Sequence, residues 1–182
     1  MGKISQDHKS FLNMAGEFLV AAELNRRKVQ AAITYGTSKS ADVWSFDAES
    51  NRAIRVEVKT TGEASGNWVV GDRALVREAW DPDLFWVLVL LPSPHPDTAD
   101  THDELRGKHS PRFFVFSSEE MGRLMSRRDD DYRSGFRARH GVEFAGPGVL
   151  KVPFQEAAPF ENLWRKIESR VRQRSGECGT EA

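Results

Sequence analysis

Apolar residues near the start of the chain recur at the spacing of a helix. Phe11, Ala15, Phe18 and Ala22 fall on one side, with Leu12 and Leu19 alongside. The pattern predicts a helix over 6–28 with an apolar stripe, and Ser5 can cap it. The period then drops to two. Strands are expected over 30–35, 42–47 and 53–61, the last two separated by the polar, turn-like Ala48-Glu49-Ser50-Asn51-Arg52. Trp68, Val69 and Val70 read as a short strand, and 72–80 as a helix broken by Asp81-Pro82-Asp83. Phe85 to Leu91 is almost continuously apolar, as a central strand buried on both faces would be.

Beyond this run, 92–111 is rich in Pro and acids and reads as an insertion or a mobile lid. Phe113 to Phe116 is a further strand. Ser117 or Ser118 caps the next helix, with Glu119 and Glu120 at its start and Met121, Leu124 and Met125 on its apolar face. An edge strand over 149–154 and an amphipathic helix over 159–174 follow. The apolar face of that helix is Phe160, Leu163, Trp164, Ile167 and Val171. Residues 175–182 are polar and read as a disordered tail. The order predicts one α/β domain over 1–174, an α/β/α sandwich around a central mixed sheet.

The hairpin carries the candidate chemistry. A turn centred between Glu49 and Ser50 pairs the two runs antiparallel and sets Asp42 across from Glu57, with Cβ atoms roughly 5 Å apart. Alternation puts Lys59 on the same face as Glu57. A half-buried strand explains the alternation of Arg55, Glu57 and Lys59 with Ile54, Val56 and Val58 without any chemistry. It does not explain Asp42, because like charges directly opposed destabilise a sheet. A cation between the two carboxylates would remove that penalty.

Asp42 followed across a hairpin by Glu57-Val58-Lys59 resembles the PD-(D/E)xK nuclease superfamily, the restriction-endonuclease-like fold. That family often has Pro before its Asp, where this chain has Ala41. Its members often carry a Glu on the preceding helix, and Glu17 is the matching residue in this chain. The resemblance covers roughly residues 10–91. It implies a Mg²⁺-dependent nuclease, with Mn²⁺ as a substitute ion. Asp42, Glu57 and the Val58 backbone carbonyl would be metal ligands. Glu17 would serve a second metal or orient a water, and Lys59 would position the attacking water or stabilise the phosphate. A non-catalytic module of the same fold, binding nucleic acid or a partner protein, is the alternative.

Composition bounds the reading. At 182 residues and net charge −1 the chain is no bulk polycation, so phosphate contacts must come from local clusters. The Gly36 to Ser40 loop, with Lys39 and Ser40, leads into Asp42, and Thr60 and Thr61 follow Lys59; all four can meet phosphate oxygens. Arg133, Arg137, Arg139 and His140 mix with Phe136 in a second basic candidate. DNA is the expected partner, with RNA left open. Two copies would present two sites to two strands, so a homodimer is expected. The single cysteine, Cys178, rules out an internal disulfide and fits the cytoplasm. The longest apolar run is too short to span a membrane. His95, His102 and His109 lie among acids in 92–111, but neither a second Cys nor a close His pair supports zinc.

Overall fold

The computed structural model describes residues 6–35, 41–62, 67–71, 80–92, 110–146, 148 and 151–173. The helix expected over 72–80, the Lys39–Ser40 loop and nearly all of 92–111 lie outside these residues, as does the tail.

The fold is mixed α/β. Helix α1 (Gln6–Arg26) leads into strands β1 (Gln30–Ile33), β2 (Val43–Asp47) and β3 (Arg52–Thr61). After β4 (Asn67–Val69) come β5 (Leu84–Leu90), β6 (Arg112–Ser117) and α2 (Ser118–His140). Strand β7 (Lys151–Pro153), the short α3 (Phe154–Ala157), a 3-10 turn at Ala158–Phe160 and α4 (Arg165–Arg172) complete the chain. The main sheet has the order β1-β2-β3-β5-β6, and β4 pairs with β7 in a separate two-stranded sheet. Within the main sheet β3 and β5 run parallel, and the other neighbours pair antiparallel, so the sheet is mixed.

Strand β5 is buried along its whole length. Its residues alternate between two apolar layers, which is why its sequence shows no polar side. Phe85, Val87 and Val89 join Val20 and Leu24 of α1 and Ile167 and Val171 of α4. Trp86, Leu88 and Leu90 join Phe114, Phe116 and the α2 residues Met121, Leu124 and Met125. Helices therefore cover both faces of the sheet, in the expected three layers.

Helix α1 contradicts its predicted packing face. It seats on the sheet through Gly16, Val20, Ala21 and Leu24, whereas Phe11, Met14 and Phe18 are 72%, 47% and 46% exposed. Gly16 decides this orientation. A Cβ there would lie 1.9 Å from Thr60 Oγ1, so only glycine lets the helix axis come so close to β3.

The start of α2 is as expected. Ser117 caps it and Glu120 closes a capping box, its carboxylate accepting from the Ser117 N–H at 2.8 Å. Glu120 also accepts from Lys166 Nζ at 2.6 Å, which ties α2 to α4. Burial and this neighbour pull on the Glu120 carboxyl in opposite directions; the Lys166 and Ser117 bonds win and hold it below the usual glutamate range.

The helix predicted over 159–174 is broken. Asn162 sits at φ 55° and donates its N–H to the Phe113 carbonyl at 2.9 Å, and Glu161 pairs with Arg112 at 2.6 Å. These ties to β6 outweigh helix continuation. Phe160 stacks on Phe116 in the α2 layer, ring centroids 4.0 Å apart, while Trp164, Ile167 and Val171 pack on the other face. No described helix is long and apolar enough to cross a membrane.

Candidate active site

The β2–β3 hairpin has the expected register. Val43 pairs with Val56 and Asp47 with Arg52, which centres the turn between Glu49 and Ser50. The turn is locally coded: Asp47 Oδ2 accepts the Ser50 N–H at 2.8 Å, and Asn51 takes a left-handed φ of 53°.

The paired register ends at Val43–Val56, and Asp42 follows with its N–H on the Val56 carbonyl, outside the regular ladder; its carboxylate, not a ladder pairing, brings it beside Glu57. Asp42 is fixed three ways. Its carbonyl accepts from Thr34 at 3.0 Å, its N–H donates to Val56 at 3.1 Å, and its Oδ2 accepts the Val58 N–H at 2.7 Å. The carboxylate thus cannot swing away without breaking a buried bond. Asp42 and Glu57 are 7% and 8% exposed. Lys59 Nζ lies 3.9 Å from Asp42 Oδ2 and 3.7 Å from Glu57 Oε2. The ammonium bridges the two acids and offsets their repulsion.

The backbone of Val58 also serves this arrangement. Within a strand, the N–H and C=O of one residue point to the same side. Arg55 donates to Asp83 and Thr61 accepts from Leu91, so the odd residues of β3 address β5. Val58 addresses the β2 side, where its N–H meets Asp42. Its carbonyl projects to the same side, beyond the last paired residue of β2.

Trp86 is a site residue that the sequence does not single out. It pairs with Glu57 across the parallel β3–β5 ladder, and its ring centroid lies 5.8 Å from Lys59 Nζ. The indole and the two carboxylates together fix where the ammonium stands. The alignment of β5 with β3 is the missing signal, since nothing local to Trp86 announces it. The Asp42 face of β2 continues through half-buried Trp44 to Phe46, which is 41% exposed.

Glu17 follows Gly16 on α1 and is half-buried. The helix packs on the Val58 and Thr60 side of β3, whereas Glu57 and Lys59 project from the other. Among the described residues no group of three or more His, Cys, Asp or Glu side chains is spaced to hold a metal ion. The pair Asp42 and Glu57 is therefore brought together, and Glu17 is not gathered with it into such a group.

The phosphate contacts expected from sequence divide. Thr60 is corrected: its hydroxyl is buried beneath Gly16, without a hydrogen-bond partner among the described residues, on the wrong face to meet a phosphate at Lys59. Thr61 lies on the Lys59 face and is buried. Lys39 and Ser40 lie outside the described residues.

Arg133 is also corrected. It is a clamp, with Nε 2.6 Å from Asp129 and its other nitrogens donating to the carbonyls of Phe144 and Gly146 at 2.9 and 3.3 Å. Arg137, 70% exposed, pairs with Glu143 at 3.0 Å. Arg139 and His140 are exposed at the end of α2, whose buried residues all precede Arg127. The outer half of the helix projects from the core, steadied by an aromatic group of Tyr132, Phe136 and Phe144.

Neither a protein-family profile nor a curated protein sequence matches the chain. Among solved structures it is similar to a bacterial homing endonuclease, with a TM-score of 0.45 and 15% sequence identity. That match covers 94% of this chain and 95% of the other.

Proposed function

We propose that the protein is a metal-dependent nuclease of the PD-(D/E)xK type that hydrolyses phosphodiester bonds in DNA. One observation carries the reading: two buried carboxylates, Asp42 and Glu57, share a sheet face with Lys59 Nζ within 4 Å of both. A protein seldom buries two neighbouring acids without a use for their charge.

The donor set suits a hard divalent cation. Asp42, Glu57 and the Val58 carbonyl offer only oxygen, as Mg²⁺ prefers, with Mn²⁺ as a substitute. The lysine ammonium already marks the place where positive charge is favourable. Such an ion, when bound, supplies Lewis-acid polarisation of the phosphate and a more acidic water.

The remaining work falls to the chain. The Asp42–Val58 bond holds the first carboxylate in place before substrate arrives, so no reorganisation is needed on binding. Lys59, steered by Trp86, would pair with a non-bridging phosphate oxygen and offset the negative charge that builds there. Glu17 would act from α1 as a positioning group for a water. Arg137, Arg139 and His140 would contact the backbone away from the cut, which adds affinity without sequence specificity. Cutting both strands would use two copies of the site, and hence a homodimer.

The test is cleavage of linear duplex, single-stranded, flapped and four-way-junction DNA with Mg²⁺, Mn²⁺ or EDTA, wild type beside Lys59→Ala. Cutting that needs metal and is lost in the variant is the expected result. One observation favours a second reading, a non-catalytic nucleic-acid-binding module: Lys59 already compensates the carboxylates, and no third acid joins them among the described residues. Intact DNA binding without cutting of any substrate, in either metal, would select that reading.

A further inference from the structure

Helix α1 is apolar on two sides, and the main sheet uses only one. Gly16, Val20 and Leu24 face the sheet. On the far side Phe11, Met14 and Phe18 stand exposed, followed by exposed Ala22. A surface helix normally turns polar residues outward. Three large apolar side chains in the 3–4 spacing of a helix-pairing seam are what a second helix would cover.

We infer that this stripe is the contact by which two copies of the chain pair, α1 against α1, antiparallel about a two-fold axis beside Met14. The spacing is self-complementary. Phe11 and Phe18 lie about 10 Å apart along the axis, with Met14 near the midpoint. A two-fold axis there sets Phe11 of one copy against Phe18 of the other and Met14 against its own counterpart. A two-fold contact requires a patch complementary to itself, and this one is.

The chemistry of the stripe argues against other occupants. Its exposed neighbours along the same side, Asp7 and Asn25, are acidic and neutral, so it offers no cation to a phosphate backbone. Between Phe11 and Phe18 it also lacks the basic border of a helix that lies in a lipid surface. The three side chains expose apolar area on the order of 300 Å² per copy. Doubled, that is about 600 Å², short of the ~1,000 Å² of a stable interface, which suits a weak, transient dimer with Kd on the order of 100 μM or above.

Sedimentation over a concentration series reads the pairing without substrate, so it stands or falls apart from catalysis. The full chain should pass from monomer to dimer between about 0.1 and 1 mM. Phe11→Ser/Phe18→Ser should stay monomeric and keep the wild-type circular dichroism. Orientation is read by disulfide trapping in a Cys178→Ser background. Met14→Cys should cross-link to itself. Phe11→Cys should cross-link to a Phe18→Cys copy and not to itself. A wild-type chain that stays monomeric to millimolar concentration would overturn the inference, as would a dimer that survives the double substitution or a self-linked Phe11→Cys. Loss of DNA binding by a double variant whose parent is monomeric would give the stripe to nucleic acid instead.

Discussion

Gly16 and Thr60 meet where α1 crosses β3, with room for a hydrogen on Gly16 and for nothing larger. Gly16→Ala gains up to about 1 kcal/mol of helix propensity. It must also move either the helix or Thr60, and overpacking costs roughly 1–3 kcal/mol. The contact should win, lowering the urea midpoint. Glu17 is the next residue, so cleavage by the folded variant should fall as well. Thr60→Ala should restore much of the loss in Gly16→Ala. A second substitution that added its own full penalty would break the proposed link.

Removing the bridging ammonium should expose the repulsion it offsets. Lys59→Met keeps the aliphatic stem and deletes the charge. In metal-free buffer it should cost on the order of 1–2 kcal/mol, less than the 3–5 of a fully buried pair because Lys59 is about a third exposed. Mg²⁺ or Mn²⁺ should then stabilise the variant more than the wild type, by linkage to binding. Thermal melts with and without metal check this. Equal melting of both proteins, indifferent to metal, would argue that the carboxylates do not bind an ion.

The Glu120–Lys166 tie predicts a pH dependence in the acid range. The Glu120 carboxyl is held below its ordinary value in the fold. Its contribution to stability is therefore complete above the unfolded glutamate value, near 4.5. It is lost as pH falls through the lower folded value. Urea midpoints from pH 6 to pH 3 should decline less steeply in Glu120→Gln than in wild type, with the two curves converging at the acid end. Parallel curves would mean that other carboxyls carry the acid lability.

Arg133 and Arg137 are indistinguishable as basic residues in the sequence but should behave differently. Arg133→Ala removes the clamp on Phe144 and Gly146 and should speed amide hydrogen exchange across 141–146, with a modest loss of stability. Arg137→Ala breaks an exposed pair and should change stability by well under 1 kcal/mol. It should instead weaken DNA binding and reduce its salt dependence. If Arg133→Ala weakened DNA binding and Arg137→Ala loosened 141–146, the two roles would be reversed.

The hairpin is legible in the sequence because its information is local. Asp47, Ser50 and Asn51 define the turn, the turn sets the register from Val43–Val56 to Asp47–Arg52, and Asp42 follows just beyond it, beside Glu57. Strand β5 is legible because a strand covered on both sides has no polar face. What stays hidden depends on distant partners. Nothing local distinguishes the Phe11–Phe18 side of α1 from the Gly16–Leu24 side, and the larger residues point the wrong way. The ladder contact of Asn162 with Phe113 overrides an apolar periodicity that continues from Phe160 to Val171. Arg133 reads as a free cation until Asp129 and two carbonyls are seen around it.

The β2–β3 hairpin that brings Asp42 beside Glu57 closes over a loop of four residues between Asp47 and Arg52. The parallel contact of β3 with β5, by contrast, joins residues about thirty positions apart. Loop-closure entropy rises with length, and an isolated hairpin can close in microseconds. The acid pair would therefore be drawn together before Trp86 arrives and before the hairpin is enclosed by the sheet. In a nascent or stressed chain the opposed carboxylates would meet while still wet, where water screens their repulsion. They would pass into the interior only as β5 docks. On this order, the electrostatic cost of the site falls on the late step of folding, and a divalent ion present at that moment would speed β5 docking more than hairpin closure.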